Sequence, residues 1–179
     1  MKTDAPIHIA GHTGLVGSAL VRRLRRANFR HLLLRSHAEL DLTDQAATDA
    51  FYAEHRPAYV FLAAARVGGI QDNRDHPADF IRTNLCIESN VIHSAWRHGC
   101  RKLLFFGSSC CYPREAAQPM REESILTGRP EPTNEAFTLA KLAGMGMCQA
   151  YGRQHGFPAI TAIPANLYGP GDQLSAAHA

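Results

Sequence analysis

Short apolar runs alternate with amphipathic stretches along this chain, a pattern typical of β-strands and α-helices that follow one another. The pattern predicts five strands, at residues 7–10, 30–35, 58–65, 102–107 and 159–163. It predicts helices between them, at residues 18–24, from Thr43 or Asp44 to His55, at 77–97 with Gly99 after the end, and at 135–155. Residues 112–134, rich in proline and glutamate, are predicted to form a loop.

This alternation predicts an α/β fold, with a parallel sheet covered by helices on both faces. Right-handed crossovers and a glycine turn after the first strand favour a doubly wound Rossmann sheet with strand order 3-2-1-4-5. Ligands of such sheets bind across the carboxyl ends of the strands. Gly11, Asp41, Ala63 and Gly107 all follow predicted strands and are expected to meet there. At 179 residues, the chain is expected to form one domain over residues 1–179.

Three glycines, Gly11, Gly14 and Gly17, stand where the first strand passes into the first helix. Glycine permits a sharp turn and the close approach of a phosphate, because it has no Cβ. The free N–H groups and the dipole of a helix N-terminus favour the pyrophosphate of a dinucleotide. The spacing is G-x-x-G-x-x-G rather than the commoner G-x-G-x-x-G, so an ordinary strand-to-helix turn is the alternative interpretation.

Composition describes an ordinary soluble protein, with 45% hydrophobic and 20% charged residues. A net charge of +3 does not indicate a nucleic-acid partner, and the arginines at positions 22, 23, 25 and 26 are interpreted as a solvated helix face rather than an anion-binding patch. We see neither a signal peptide nor an apolar run of membrane length. The five cysteines form no C-x-x-C pair and the ten histidines are dispersed, which predicts no metal site and a reduced, cytoplasmic protein.

Residues 107–113 read Gly-Ser-Ser-Cys-Cys-Tyr-Pro. This segment resembles the G-S-S-C-x-Y-P segment of GDP-L-fucose synthases, which are extended short-chain dehydrogenases/reductases of the NAD-dependent epimerase/dehydratase family. Further similar segments lie at residues 63–70, 77–81, 87–90, 131–135 and 166–170. The resemblance extends from about residue 7 to residue 172, but it covers only the N-terminal half to two-thirds of such an enzyme.

The resemblance implies an enzyme that epimerises two carbons of GDP-4-keto-6-deoxymannose and then reduces the ketone with NADPH. It implies that Ser108 hydrogen-bonds the keto oxygen, that Cys110 is an acid/base of the epimerisation, and that Lys141 holds the nicotinamide ribose. Each residue has a structural alternative: Ser108 and Ser109 as turn caps, Cys110 as an inert thiol, Lys141 as a solvated charge. For Cys86 and Cys148, on predicted helices, core packing is the preferred interpretation.

The resemblance also implies a cofactor site. Its expected lining is Gly11, His12, Thr13, Gly14, Leu15, Val16, Gly17, Arg35, Asp41, Leu42, Ala63, Ala64, Phe106, Gly107, Ser108, Ser109, Lys141, Pro164, Ala165, Asn166 and Leu167. The family usually has arginines at the positions of Thr13 and His37, where they hold the 2′-phosphate of NADPH. Here only Arg35 lies near, so the preference for NADP over NAD is expected to be weakened rather than reversed.

The family's Tyr-x-x-x-Lys pair is Phe137 and Lys141 in this sequence. Residues four apart still lie on one helix face, but phenylalanine has no hydroxyl to protonate the alkoxide that hydride transfer produces. A positioned general acid contributes about 10²–10⁴-fold to a rate, so reduction is expected to be impaired. A chance substitution in an otherwise intact enzyme is the alternative, and whether this chain is an active enzyme is left open.

The family continues beyond the position of Ala179 with a substrate domain, and without that domain the fifth strand is expected to be an exposed edge. Either another chain covers this edge, or the chain is a truncated piece of a longer product. His178 lies near the position of the family's second acid/base. The resemblance further implies binding of a nucleotide sugar and a homodimer formed through the helices at 77–97 and 135–155. Leu85, Ile92, Leu142 and Met145 are its apolar candidates, with packing in the core as the alternative for them. The alternatives are a non-catalytic dinucleotide-binding module and a remnant with little function.

Overall fold

The computed structural model describes residues 1–172 and contains a parallel sheet of five strands in the order β2-β1-β3-β4-β5. The strands are β1 (Ile7–Ala10), β2 (Leu32–Leu33), β3 (Tyr59–Leu62), β4 (Lys102–Phe106) and β5 (Ala159–Ala162). The helices are α1 (Leu15–Arg26), α2 (Gln45–His55), α3 (Ile70–Asp75), α4 (Pro77–Arg97) and α5 (Glu135–His155). The predicted doubly wound α/β fold is confirmed, and α4 and α5 begin and end at the predicted residues.

The predicted strand order 3-2-1-4-5 is wrong, because β1 rather than β2 lies next to β3. After β2 the chain passes through turns and irregular backbone up to residue 44, with no strand outside β2. The crossover through α2 therefore returns the chain to the other side of β1, where Ile7 pairs with Tyr59 and Ala10 with Leu62. The direction of strand addition thus reverses between β1 and β3, and this reversal is where a doubly wound sheet binds its ligand.

Successive side chains of a strand point to opposite faces of the sheet, so the hydrophobic core has two parts, one on each face. On one face, Ile7 and Ile9 of β1 pack with Val21 and Leu24 of α1. The opposite face packs against α2, α4 and α5, and its fully buried members include Val60, Leu62, Val91, Ile92, Leu103 and Phe105. Because all five strands are parallel, their carboxyl ends lie along one edge of the sheet.

The segment after β3 contains a helix that the sequence pattern did not predict. The six-residue helix α3 is short and mostly polar, so it carries no clear apolar period. Asn73 holds its start, since the side-chain amide donates to the carbonyl oxygens of Gly68 and Gly69, each at 3.0 Å. Asn84 of α4 fixes the preceding loop by accepting from the Arg66 N–H at 2.8 Å and donating to the Arg66 carbonyl at 3.0 Å.

Exposed apolar surface lies at and beyond β5, which is the outer strand on its side of the sheet. Ile160 within the strand is 48% exposed, and Leu167 and Tyr168 after it are 49% and 91% exposed. The predicted edge position of this strand is therefore confirmed for the described residues. None of the helices within residues 1–172 combines the length and the hydropathy that a bilayer span requires.

A buried histidine couples folding to pH. His8 is 1% exposed within β1, and its Nδ1 lies 2.8 Å from the hydroxyl of Tyr52 on α2. Burial is the largest cause that lowers the pKa of His8 from its usual 6.5 to about 3, and the nearby His12 is the second. The folded state therefore keeps His8 neutral at pH values where the unfolded chain takes up a proton.

We expect the free energy of unfolding to decrease as the pH is lowered below 6.5, because only the unfolded chain protonates His8 there. A His8→Gln variant should lack the part of this decrease that His8 causes. Between pH 7 and pH 5 the wild-type protein is expected to lose about 2 kcal/mol relative to the variant. Other titrating groups are common to both proteins and cancel in the difference. Urea unfolding monitored by circular dichroism at the two pH values measures it, and an equal decline in both proteins would refute the assignment to His8.

Candidate functional site

The turn between β1 and α1 is shaped by close backbone contacts at its glycines. Gly11 has φ +82°, and a Cβ there would lie 2.7 Å from the amide nitrogen of Ala64. A Cβ on Gly17 would overlap the carbonyl oxygen of Gly11. Gly14 is the N-cap of α1, and its N–H donates to the Gly11 carbonyl at 3.1 Å. The turn thus requires glycine at its first and third positions, and Gly11 packs against the backbone of Ala63 and Ala64 after β3.

The N-terminus of α1 has the features of an anion site. Gly14 supplies no side-chain cap, and the first turn contains no acidic residue. The positive end of the helix dipole and the first backbone N–H groups are therefore left for another partner. The buried Nδ1 of His12 beside this turn also has no hydrogen-bond partner among the described residues. These unsatisfied donors and this polar atom fit the diphosphate of a dinucleotide.

The loop at residues 41–43 is held in one conformation by hydrogen bonds. The Asp41 carboxylate accepts from the Thr43 hydroxyl at 2.7 Å and from its N–H at 2.8 Å, and these bonds lower the pKa of Asp41. Asn90 on α4 donates to the carbonyl oxygens of Leu42 and Thr43 at 2.9 and 3.1 Å. Leu42 is buried in the core, which anchors the loop further.

Arg35 is the cation nearest the end of β2, as expected from the sequence. One guanidinium nitrogen donates to the Leu34 carbonyl at 3.0 Å, and the other lies 3.5 Å from the Nε2 atom of His55. His37 is different, because its side chain is 84% exposed and its Nδ1 lies 3.8 Å from the Asp41 carboxylate. A phosphate at this end of the crevice would therefore meet Arg35 as an oriented, half-buried donor.

Ser108 and Cys110 lie directly after β4, where the Gly107 N–H donates to the Ala162 carbonyl at 2.9 Å. The hydroxyl of Ser108 accepts from the Cys110 N–H at 3.2 Å and caps the short 3₁₀ turn Ser109–Cys111. Ser108 therefore has the alternative role of a turn cap, but this role leaves the hydroxyl proton for a second partner. The Cys110 sulfur accepts from the side-chain amide of Asn134 at 3.1 Å, so the thiol lies in a polar, half-buried setting.

Lys141 and Phe137 lie on the same face of α5, as their spacing predicts, with the Lys141 Nζ 5.8 Å from the Phe137 ring centroid. Lys141 is 4% exposed, so the interpretation as a solvated charge is wrong. Its ammonium lies 3.1 Å from the Glu88 Oε1 atom, and both side chains are almost fully buried. Burial raises the pKa of Glu88 to about 7, although the Lys141 charge opposes this shift.

The structure places the segments that follow β1, β3, β4 and β5 along one edge of the sheet. Leu62 pairs with Ala10 and Phe105, and Phe106 pairs with Ala162, so the residues after these strands are neighbours. The expected lining from this edge consists of Ala63, Ala64, Phe106, Ser109, Pro164, Ala165, Asn166 and Leu167. His178 lies outside the described residues, so its predicted role stays a prediction.

Sequence reasoning missed three polar residues that support the site: Glu88, Asn90 and Asn134. Each lies inside a segment that carried the family resemblance, yet each contacts the site through another residue. For Glu88, a carboxylate at a helix position that the apolar period places inside was the available signal. Within residues 1–172 no group of three or more metal-ligating side chains occurs. The five cysteines are free thiols there, and burial raises the pKa of Cys100 to about 11 and of Cys148 to about 12.

The chain is similar to a known protein family and to individual relatives within it. The family model described as "NAD dependent epimerase/dehydratase family" matches residues 7–178. GDP-L-fucose synthase 1 of Arabidopsis thaliana is 57% identical over 171 residues, which are 96% of this chain and 53% of that protein. GDP-L-fucose synthase of Escherichia coli K12 is 49% identical over 168 residues, covering 94% of this chain and 52% of the relative.

A solved structure from Campylobacter jejuni, a GDP-D-glycero-L-gluco-heptose synthase crystallised in the presence of NADPH, superposes with a TM-score of 0.96 at 41% identity. The match covers 99% of this chain and 52% of that one. The chain therefore spans about half the length of the relatives it matches. The resemblance to GDP-L-fucose synthases that the motifs indicated is confirmed.

Proposed function

Because this chain belongs to the NAD dependent epimerase/dehydratase family, we propose that it binds NADPH along the carboxyl ends of β1, β3 and β4 as part of a GDP-L-fucose synthase-like protein. The glycine turn carries this proposal. Its backbone contacts require Gly11 and Gly17, and it delivers an uncapped helix N-terminus without an acidic residue to the strand ends. The similarity to synthases of GDP-sugars supports the same conclusion.

Each group around the crevice then has a defined task. The N–H groups at the start of α1 bind the diphosphate, Arg35 meets the 2′-phosphate, and Lys141 donates to the nicotinamide ribose. NADPH supplies a hydride when bound. Ser108 hydrogen-bonds the ketone oxygen of the sugar, and Cys110 moves the proton on the neighbouring carbon. Asn134 fixes the sulfur of Cys110, which gives that proton transfer a defined direction.

Ketone reduction is impaired in this chain, because no hydroxyl stands at Phe137. The alkoxide formed by hydride transfer needs a proton from a group beside Lys141, and the Phe137 ring offers none. Loss of a positioned general acid slows such a step by about 10²–10⁴-fold. The same substitution favours a second candidate function, a dinucleotide-binding module that does not reduce a substrate.

Titration with NADPH and NADH, followed by nicotinamide fluorescence, tests the proposal. We expect saturable binding of NADPH at micromolar concentration, which is typical of a specific cofactor site. Absence of binding of both nucleotides at millimolar concentration would exclude both candidate functions. Where NADPH binds, addition of GDP-4-keto-6-deoxymannose separates them: exchange of protons beside the ketone identifies the impaired synthase, and complete inertness identifies the binding module.

The preference for NADPH over NADH is expected to depend on Arg35. A charge-assisted contact to the 2′-phosphate should give about a tenfold preference, equivalent to about 1.4 kcal/mol. Arg35→Met should reduce this ratio to near one. Arg30→Met is the matched control, since Arg30 is an exposed arginine that precedes β2 at its other end. Equal preference in all three proteins, measured by titration at low ionic strength, would contradict the assignment.

We also propose that the outer faces of α4 and α5 form a homodimer and that the whole protein binds a GDP-sugar. Leu85 and Leu139 are 37% and 44% exposed on these helices, whereas Ile92 and Met145 are buried in the core and are unavailable. Leu85→Glu should therefore convert a dimer to a monomer in light scattering. A monomeric wild-type protein would contradict this part of the proposal.

A further inference from the structure

Glu88 is the most deeply buried carboxylate near the site, and the proposed chemistry does not use it directly. It lies in the middle of α4, with 1% of the residue exposed, and its helix packs along α5. A buried carboxylate is unfavourable unless a partner and hydrogen bonds compensate for its lost hydration. Among the described residues Lys141 is the one cation at contact distance, with its Nζ 3.1 Å from Oε1, and neither Oε1 nor Oε2 has a well-aligned hydrogen bond there.

The helix interface is shaped around this carboxylate. A Cβ on Gly144 of α5 would lie 2.5 Å from Glu88 Oε2 and 2.6 Å from the ring of Phe105. Glycine therefore leaves the space that the carboxylate occupies, one turn after Lys141. The ammonium of Lys141 also lies 4.8 Å from the Phe105 ring centroid, which stabilises its charge further.

An interface selected only for stability would not need this pair. Replacing a buried ion pair by apolar side chains of similar volume is often neutral or stabilising. Because Lys141 is a predicted site residue, the buried pair of Glu88 and Lys141 is better explained by an effect of Glu88 on the position of the Lys141 ammonium. Without a counter-charge, the ammonium would favour water and leave its place between α4 and α5.

We propose that Glu88 is the positioning residue of Lys141, and that its carboxylate fixes the ammonium as a charged donor for the ribose of a bound dinucleotide. This inference rests on the proposed binding of NADPH. Glu88 acts through Lys141 and does not itself contact the nucleotide. In a Glu88→Gln variant, the side-chain amide would fill the same space without the charge that holds the ammonium.

The pH dependence of binding should reveal this role. The groups facing the Glu88 carboxylate are the Lys141 ammonium and the Cys148 thiol of α5 and the Cys111 thiol that follows β4. Burial raises the pKa of both thiols, so Glu88 is the group here that changes charge near neutral pH, with its pKa at about 7. Protonated Glu88 resembles glutamine, so the effect of Glu88→Gln should be large at pH 8 and small at pH 6.

NADPH titrations of the wild-type protein and the Glu88→Gln variant at pH 8 and pH 6 test the inference. We expect the variant to bind about tenfold more weakly at pH 8, and only about twofold more weakly at pH 6. The 2′-phosphate and other titrating groups change the affinity of both proteins equally, so their effects cancel in the ratio of wild-type to variant affinity at each pH. A ratio of one, or a ratio that is the same at both pH values, would overturn the inference and leave Glu88 a structural role.

Two controls make the result specific. Glu115→Gln removes an exposed carboxylate in the loop after Cys111 and should leave the affinity unchanged. In a Lys141→Met background, Glu88→Gln should cause no further loss, because it acts through Lys141. Additive losses would contradict the inference.

A measurement on the wild-type chain covers the case in which the Glu88 variant does not fold. The Cε and Nζ resonances of Lys141 should shift with pH around a midpoint near 7, where Glu88 titrates. Resonances that do not change between pH 6 and pH 8 would overturn the inference. If the wild-type protein does not bind NADPH at all, the proposed function fails instead, and these resonances still report on the pair.

Discussion

Gly17→Ala is expected to weaken NADPH binding by at least about 100-fold and to destabilise the fold by roughly 2–3 kcal/mol. The new Cβ would overlap the carbonyl oxygen of Gly11 and approach the Cα of His12, so the backbone of the turn has to move. That movement displaces the N–H groups at the start of α1 from the strand ends. Calorimetric titration with NADPH and thermal unfolding measure the two effects.

Gly146→Ala is the matched control for this substitution. Gly146 also lies within a helix, but a Cβ there would contact nothing within 4 Å. Alanine is a better helix former than glycine, so this variant should gain about 0.5–1 kcal/mol of stability and bind NADPH unchanged. A folded Gly17→Ala protein with wild-type affinity would show that the turn does not form the diphosphate site.

In heavy water, the chain is expected to exchange protons beside the ketone of GDP-4-keto-6-deoxymannose without measurable consumption of NADPH. Cys110 retains its thiol, with Asn134 donating to the sulfur, whereas Phe137 has lost the hydroxyl that reduction requires. The two half-reactions should therefore separate. Nuclear magnetic resonance of the sugar protons detects the exchange, and nicotinamide fluorescence detects the reduction.

Cys110→Ala should slow this exchange by about 10²–10⁴-fold, the usual contribution of an acid/base group. Cys86→Ala is the control, because that thiol lies on α4 outside the segment after β4. Brisk consumption of NADPH by the unchanged chain would contradict the importance given to Phe137. Exchange that persists in Cys110→Ala would assign the proton transfer to another group.

Much of the fold could be predicted because the sequence pattern and the packing agree. The helices α4 and α5 are long, with 21 residues each, and Pro77 and Gly99 mark the two ends of α4. The strand order could not be predicted, since nothing local distinguishes a β3 that pairs beside β2 from one that pairs beside β1. The observed order arises because residues 34–44 form no further strand, so the next strand in the chain is the one that pairs with β1.

The site divides in the same way between local and long-range features. The turn at residues 11–17 and the spacing of Phe137 and Lys141 are local patterns, so the sequence exposes them. The contact of Glu88 with Lys141 joins residues 53 positions apart, and that of Asn134 with Cys110 joins residues 24 positions apart. Only the packing of α4, α5 and the loop after β4 brings these pairs together.

The position of the diphosphate is the central claim, and NMR spectra of ¹⁵N-labelled protein with and without NADPH test it directly. We expect the largest amide shifts at Leu15, Val16 and Gly17, the first residues of α1, with smaller shifts after β3 and β4. Gly146, in the exposed part of α5, should not shift. Shifts concentrated away from the start of α1, or spectra unchanged at saturating NADPH, would contradict the account.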